Sequence, residues 1–384
     1  MRKVSLYLVC LCVVLLSGCW DKHEPERMLY VHGLGIDYKD GKYEVYAQVI
    51  NLSNVAKSEE PKTEIVQAEV GYASGNTLED AVFNLYRSAD ERISWGHLTY
   101  IVFSKNVLEE DQFNASIDVF IRFAETRYRI WVYSTQEDIK DVLLTIPITS
   151  TTLTLSKLSD PMNSFKQESF VEPVDIRRLI IGLDEPNHEM IIPTINVLYN
   201  WETVERIPRT AHLAGVGIIT PDKFKGFILN EEARGIKWMN NHTRRGTVSF
   251  LLDKSDENSI TSATLNDVKV KVTPIVENDV VYFDIDVKVQ AVVSTVTEKV
   301  SDAEFQEHIA NTVKSEILMT YEEALNKDID IFRLSEHVYR KHIKDWKRLQ
   351  KDGKVELTKD SIRSLNVTVT KLKIGRKSLQ KTIK

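Results

Sequence analysis

Apolar residues along this chain recur in two rhythms, every second position and every three to four positions, and the rhythms switch at turn residues. Residues 29–37 and 43–51 alternate as strands, joined across Asp40-Gly41, a pair that supplies the left-handed conformations a tight hairpin needs. Residues 64–72 read as a third strand. Thr77-Leu78-Glu79-Asp80 has the form of a helix N-cap, and Ala81, Val82, Leu85 and Ala89 give the helical face that follows. A strand at 100–104, a helix at 111–123 (Phe113, Ile117, Phe120 and Ile121 on one side), a strand at 128–134 and a short helix at 136–144 complete a mixed α/β domain over residues 29–145.

The next stretch is punctuated by Pro147, Pro161, Pro173 and Pro186 and is rich in Ser and Thr. It predicts a connector or small middle domain over 146–210, with a helix at 174–183 starting just past Pro173 and a long strand pair at 190–199 and 202–219. From 211 onward the signals sharpen. A strand at 213–220 turns at Pro221-Asp222-Lys223, returns at 226–229, and leads into a helix at 231–240. Val268, Val270 and Val272 alternate with lysines, and Val281, Phe283, Ile285, Val287, Val289 and Ala291 alternate with polar residues, around a turn at Glu277-Asn278-Asp279. Ser301-Asp302-Ala303-Glu304 is a capping box, opening a helix with Phe305, Ile309, Val313, Ile317 and Tyr321 along one face. A second helix is expected over 331–349. Leu365, Val367 and Val369 then start a strand whose phase flips at Leu372 and Ile374, the mark of a bulge. The reading is α+β: three mixed α/β domains, the last at 211–384, with antiparallel-rich sheets and long C-terminal helices packed on a sheet.

The first residues change the picture. Arg2 and Lys3 precede an apolar run from Val4 to Leu16, the length of a signal h-region and too short to span a bilayer. Leu16-Ser17-Gly18-Cys19 then resembles a lipobox. Small residues admit the peptidase, and the Cys19 sulfur takes a diacylglyceryl group by thioether. Residues 1–18 are therefore expected to be a lipoprotein signal peptide, Cys19 the lipidation site and 19–28 a polar tether. Of the three cysteines, Cys10 and Cys12 leave with the signal, so the mature chain has no disulfide. Cleavage removes Arg2 and Lys3 and no acid, moving the formal charge from −6 to −8, which disfavours nucleic acid as a partner.

No catalytic, cofactor or metal constellation stands out. Gly33-Leu34-Gly35 and Gly215-Val216-Gly217 lack the third glycine of a dinucleotide fingerprint and read as tight strand passages. His337 and His342 are five apart, on different faces of a helix, and read as solvated, as does Glu307-His308. Trp95-Gly96-His97 reads as a packed turn before a strand, and Glu125 and Arg127 as a corner-fixing pair. The tail at 371–384, with six basic residues and no acid, reads as a solvated end that meets anionic headgroups at most weakly.

Several segments together carry a resemblance. Gly18-Cys19-Trp20-Asp21 with Glu24 and Gly33-Leu34-Gly35-Ile36-Asp37 is followed by Ser94-Trp95-Gly96-His97-Leu98, and then by Arg122, Glu125 and Arg127 before a strand. Asp222-Lys223 with Gly226, and Asp330 to Phe332 with Trp346, follow in order. This series resembles the Ger(x)C family, the C-subunit lipoproteins of spore nutrient-germinant receptors, over nearly the whole mature chain. Pro25 departs from the family's apolar residue just after the tether. The resemblance implies a three-domain mixed α/β fold without enzymatic activity. It implies a place on the inner membrane of the spore and two integral membrane partners, the A- and B-type receptor proteins, to which nutrient sensing is mainly attributed. The alternatives are a substrate-binding lipoprotein of a transporter, which calls for doubly wound lobes where this chain shows hairpins, and a lipid-tethered cell-wall enzyme.

Overall fold

The computed structural model describes residues 28–50, 69–122, 129–148, 152–202, 204, 207–252, 259–295 and 300–376. Its first sheet starts with β1 (Met28–Lys39) and β2 (Lys42–Ile50), which turn at Asp40 and Gly41, both at positive φ as the hairpin requires. The third strand, β3 (Glu69–Gly75), lies later than the 64–72 expected; residues 64–68 fall outside the described set. Helix α1 (Leu78–Ser88) starts where Thr77 accepts a hydrogen bond from the Asp80 backbone, the predicted cap. Short β4 (Arg92–Ser94) pairs with the start of β1, and β5 (Tyr100–Ser104) and β6 (Trp131–Thr135) add on in parallel.

Between them lie α2 (Lys105–Glu109), which the sequence pattern did not indicate, and α3 (Phe113–Arg122); α4 (Ile139–Leu143) follows β6. The Ser-rich stretch contributes α5 (Pro161–Gln167), also unanticipated, and α6 (Ile176–Asp184), capped by Asp175. Strands β7 (Met190–Leu198), β8 (Thr210–Ile219) and β9 (Phe224–Leu229) extend the same sheet, giving the order β3-β2-β1-β5-β6-β7-β8-β9. One sheet thus runs through residues 145 and 210 of the sequence without a break. Both of its faces are covered: Leu78, Val82, Leu85 and Phe113 pack on one, and Ile139, Val142, Leu143 and Leu158 on the other.

The two Gly-x-Gly runs sit where strands pass closely. A Cβ on Gly33 would lie 2.3 Å from the Tyr100 ring, and one on Gly215 would lie 2.2 Å from the Ile228 carbonyl. Each is at a register shift of its strand.

The second sheet is β10 (Arg245–Leu251), β11 (Ile260–Glu277), β12 (Val280–Thr295) and β13 (Ile362–Arg376), in that order. The first three are antiparallel. The fourth enters parallel to β12, because the chain crosses over through helices, so the sheet is antiparallel-rich with one parallel pair. The expected bulge is there: Val289 pairs with Val369 but Gln290 pairs with Lys371, leaving Thr370 extra and flipping the phase before Leu372.

The capping box at Ser301 and Glu304 opens α7 (Asp302–Asn326), which lays Phe305, Ile309, Val313 and Ile317 on this sheet. The helix expected at 331–349 is in fact two, α8 (Leu334–Lys341) and α9 (Ile343–Leu349), broken at His342, whose φ of −133° and ψ of 55° are not helical. The turn at the break brings Trp346 edge-on to Tyr339, with ring centroids 5.0 Å apart.

The segment predicted as a helix at 231–240 is a 3-10 run, Asn230–Met239, pressed against α7. Gly235 makes that approach possible. Its N–H donates to Thr320 at 2.9 Å, and an added Cβ would lie 2.5 Å from the Glu316 carbonyl and 2.8 Å from the Ile317 Cα. Gly235→Ala is expected to cost about 1–3 kcal/mol through overpacking against backbone that cannot retreat. A urea midpoint equal to that of the parent protein would refute this.

Candidate functional site

A cleft of about 1040 Å³ opens where the first sheet meets the second half of the chain. Its walls come from the α6–β7 connection, the β8–β9 turn at 220–225, the end of α7 with the loop to α8, and the segment from Trp346 to Leu357. Much of this backbone is left-handed. Asn187, His188, Asp328, Arg333 and Asp352 all have positive φ, a conformation costly for residues with a side chain, and Gly353 beside them is at +81°. The Asn187 N–H donates to the Gly353 carbonyl at 2.7 Å, tying the two halves together.

A polar network crosses the junction. Glu189, nearly fully buried, takes Lys225 Nζ at 2.7 Å and Lys354 Nζ at 3.3 Å on one carboxylate oxygen. Its other oxygen accepts the Asp330 N–H at 2.6 Å. Asp328 takes the same two ammonium groups at 3.0 and 2.7 Å. Burial pulls the Lys225 ammonium down, but Glu189 and Asp328 outweigh it and hold its pKa above the ordinary lysine value. Burial pushes the Asp328 carboxyl up, and Lys354 and Lys225 more than reverse this.

Asp330 lies under the network. It accepts the N–H groups of Leu334 and Ser335, both at 2.7 Å, and so fixes the start of α8. Burial dominates those two hydrogen bonds, and Glu189 nearby adds to it, so its pKa is raised to about 6. Arg333 closes the corner with a guanidinium bond to the Glu189 carbonyl at 2.8 Å and an ion pair to Glu336 at 2.7 Å.

The segments singled out in the sequence have places in this frame. Asp330 and Phe332 form the turn into α8, with Phe332 stacked on Tyr321 at 6.3 Å, and Trp346 lines the cleft. Asp222 and Lys223 form its rim. At the far end of β1, buried Asp37 accepts from Ser104 and from Asn106 (3.0 Å), holding the corner between β5 and α2. Trp95 is buried in a turn closed by Leu98 N–H to Trp95 carbonyl at 3.0 Å, and its indole donates to the Tyr86 hydroxyl at 2.7 Å. His97 beside it is exposed and edge-on to Tyr30.

His337 and His342 are half-buried rather than solvated, and burial holds the His337 pKa below the ordinary histidine value. His308 stacks on Phe250 at 5.5 Å. Cys19, Glu125, Arg127 and the tail beyond 376 lie outside the described residues. Among the described residues, no three His, Cys, Asp or Glu side chains are grouped to hold a metal ion, and no helix is long and apolar enough to cross a membrane.

Two features escape a reading by sequence. Asn187 is 1 % exposed, yet both its amide oxygen and its amide nitrogen lack a hydrogen-bond partner among the described residues. The Trp346 indole nitrogen is in the same state, and both residues line the cleft.

The chain is similar to known proteins in both sequence and fold. Residues 21–197 match the family described as spore germination protein N-terminal domain, and residues 214–375 match the family described as spore germination B3/GerAC like, C-terminal. Spore germination protein KC of Bacillus subtilis (strain 168) is 21% identical over 374 residues, covering 91% of this chain and 90% of that protein. Spore germination protein B3 of the same organism is 21% identical over 369 residues, covering 91% and 92%. The crystal structure of the GerBC protein superposes with a TM-score of 0.57 at 16% identity, covering 89% of this chain and 96% of that one, and so shares the mixed α/β fold. The two matched regions meet at the junction that carries the cleft, and together they run from residue 21 to residue 375: this protein belongs to the Ger(x)C family of spore germination proteins.

Proposed function

We propose that this chain is the lipid-anchored C-subunit of a spore germinant receptor, held on the outer face of the spore's inner membrane by acylated Cys19. There it acts by assembling and coupling two integral membrane subunits, without catalysis. The observation that carries the reading is the match of both family regions, in order, over residues 21–197 and 214–375. A relative named spore germination protein A3, 27% identical over 142 residues, supports membership of a multi-protein system. The lipobox at 16–19 supports the anchor, because two or more acyl chains hold a protein stably on a bilayer where one is marginal.

Deleting the gene is expected to abolish germination by the nutrients its receptor serves while triggers that bypass receptors still work, and to lower the abundance of the membrane subunits. Normal nutrient germination in the deletion strain would remove the reading. Cys19→Ala is expected to stop incorporation of a radiolabelled fatty acid into the protein; label retained by the variant would show that the anchor is elsewhere. Micromolar, stereospecific binding of an amino acid or sugar to the purified protein would favour the substrate-binding alternative instead.

A further inference from the structure

We propose that the groove formed by residues 145–148 and 155–158 with the end of β7 and the start of β8 docks an acidic segment, flanked by apolar residues, of a partner protein. Two stretches distant in sequence meet there, tied by the Ile146 N–H to the Arg209 carbonyl at 3.3 Å. Ile148, Leu155 and Trp201 line a groove of about 450 Å³, and Tyr199 and Ile207 lie at the same end of the strand pair. All five side chains belong to residues between 37 and 63% exposed, so apolar and aromatic surface from both stretches is left open to solvent. Single exposed apolar residues are ordinary, whereas a cluster of them marks a contact surface.

Charge specifies the occupant. Lys157 and His212, both exposed, line the same groove. The Lys157 ammonium has no ion pair or hydrogen bond among the described residues; burial by its neighbours lowers its pKa, and Glu168, which does not touch it, raises it less. Burial, and after it Lys157, hold the His212 pKa below the ordinary histidine value. The next cation, Arg209, is already matched by Asp141 at 3.2 Å. The groove therefore lacks one carboxylate, and lacks it beside apolar surface. A chain segment with Asp or Glu between apolar side chains supplies both, and Trp and Tyr are the residues on which such contacts gain most.

The position in the fold favours a protein over the bilayer. β1, β5, β6 and β7 are parallel, so the end of β7 lies with the Asp40-Gly41 turn, at the opposite end of the sheet from Met28. The stretch from Cys19 to Met28 reaches about 32 Å at most, and β1 then runs about 40 Å further before the level of the groove. An anchor on Cys19 holds the Met28 end to the membrane and leaves the groove end free. The net negative charge of the chain also opposes a plane of anionic headgroups. The anchor, and a membrane subunit as the source of the segment, rest on the receptor reading above; the chemistry of the groove does not.

The test places a photo-reactive amino acid at Leu155 in the full-length protein made in its own sporulating cells. A second probe at Met319, an exposed apolar residue on α7, reports non-specific capture. Lys157→Glu reverses the charge and Lys157→Arg keeps it, and neither removes a side-chain hydrogen bond among the described residues. The expected result is an adduct at 155 that mass spectrometry maps to one segment of another protein, with Asp or Glu among apolar residues. Its yield should fall at least fivefold in Lys157→Glu, at unchanged protein level, and stay within about twofold in Lys157→Arg.

No adduct at 155, an adduct to lipid, to a second copy or to this chain's own residues, or the same capture at 319 would each overturn the proposal. So would a yield that Lys157→Glu leaves unchanged or that Lys157→Arg lowers equally. The deletion strain separates the two readings. If nutrient germination is lost on deletion but no adduct forms at 155, the receptor role stands and the docking site falls. If the mapped segment belongs to a protein outside the membrane, the site stands and the membrane subunit as its source falls.

Discussion

Glu189→Ala is expected to destabilise the protein by about 3–5 kcal/mol, the cost of removing one partner from a buried charge network. The carboxylate is 4% exposed and Lys225 is 8% exposed, so the ammonium left behind stays out of water. The same change strips the acceptor from the Asp330 N–H, which Glu189 bonds at 2.6 Å. Asp328 holds both lysines as well, but its own side chain is 80% exposed, and a screened partner replaces little of the loss. The effect belongs to breaking the pair, not to the pair's net worth. Replacing Glu189 and Lys225 together, by Gln and Met, should therefore cost less than Glu189→Ala alone. Equilibrium urea unfolding of the single and double variants measures both. A single variant within 1 kcal/mol of the parent would show that water reaches Lys225 at little cost.

The junction that this variant probes was the part of the fold least legible in the sequence, and the reason is distance along the chain. Glu189 and Lys354 are 165 residues apart, and no local period or turn signal links them. Features set by a few neighbouring residues were readable. The Asp40-Gly41 hairpin, the Thr77 and Ser301 caps and the phase flip at Thr370 are all decided within one turn or one strand. The alternation of Gly246, Val248 and Phe250 (inward) with Thr247 and Ser249 (outward) is equally local, but the strand it makes is short beside its longer neighbours.

The break at His342 left no mark in the apolar pattern, because helical spacing continues through it. The cleft itself depends on left-handed Asn187, His188, Asp328 and Asp352, and none of these is the glycine that would announce such a conformation. The family resemblance marked Asp222, Lys223, Asp330 and Trp346 as segments that go together. That they line one cleft, with Asp330 fixing α8 and the buried Trp346 N–H without a partner among the described residues, is visible only once the two halves of the chain are in contact.

Asp330 gives the junction a pH dependence of unusual sign. Its folded pKa, about 6, is above the 3.8 of a free aspartate, with burial as the largest cause. The folded state therefore binds more protons than the unfolded state between roughly pH 4 and 6, and in that window this group makes stability fall as pH rises. Its contribution is most favourable below about pH 4 and has been lost by pH 7, a difference of about 3 kcal/mol. Asp328, Glu172 and Glu336, whose pKa values are lowered by their cationic neighbours against the pull of burial, act in the opposite direction, so the whole-protein profile mixes both signs.

Asp330→Asn isolates the one group. Its amide oxygen still accepts one backbone N–H at the start of α8, and it does not titrate. Relative to the parent, the variant is expected to gain stability on going from pH 5 to pH 7, as the parent's carboxyl becomes a buried anion and the variant's amide does not. Paired urea titrations at the two pH values measure this difference. A parent-minus-variant stability that stays constant, or rises, from pH 5 to 7 would show that the two N–H donors from Leu334 and Ser335 outweigh burial and that Asp330 is an ordinary, fully ionised cap.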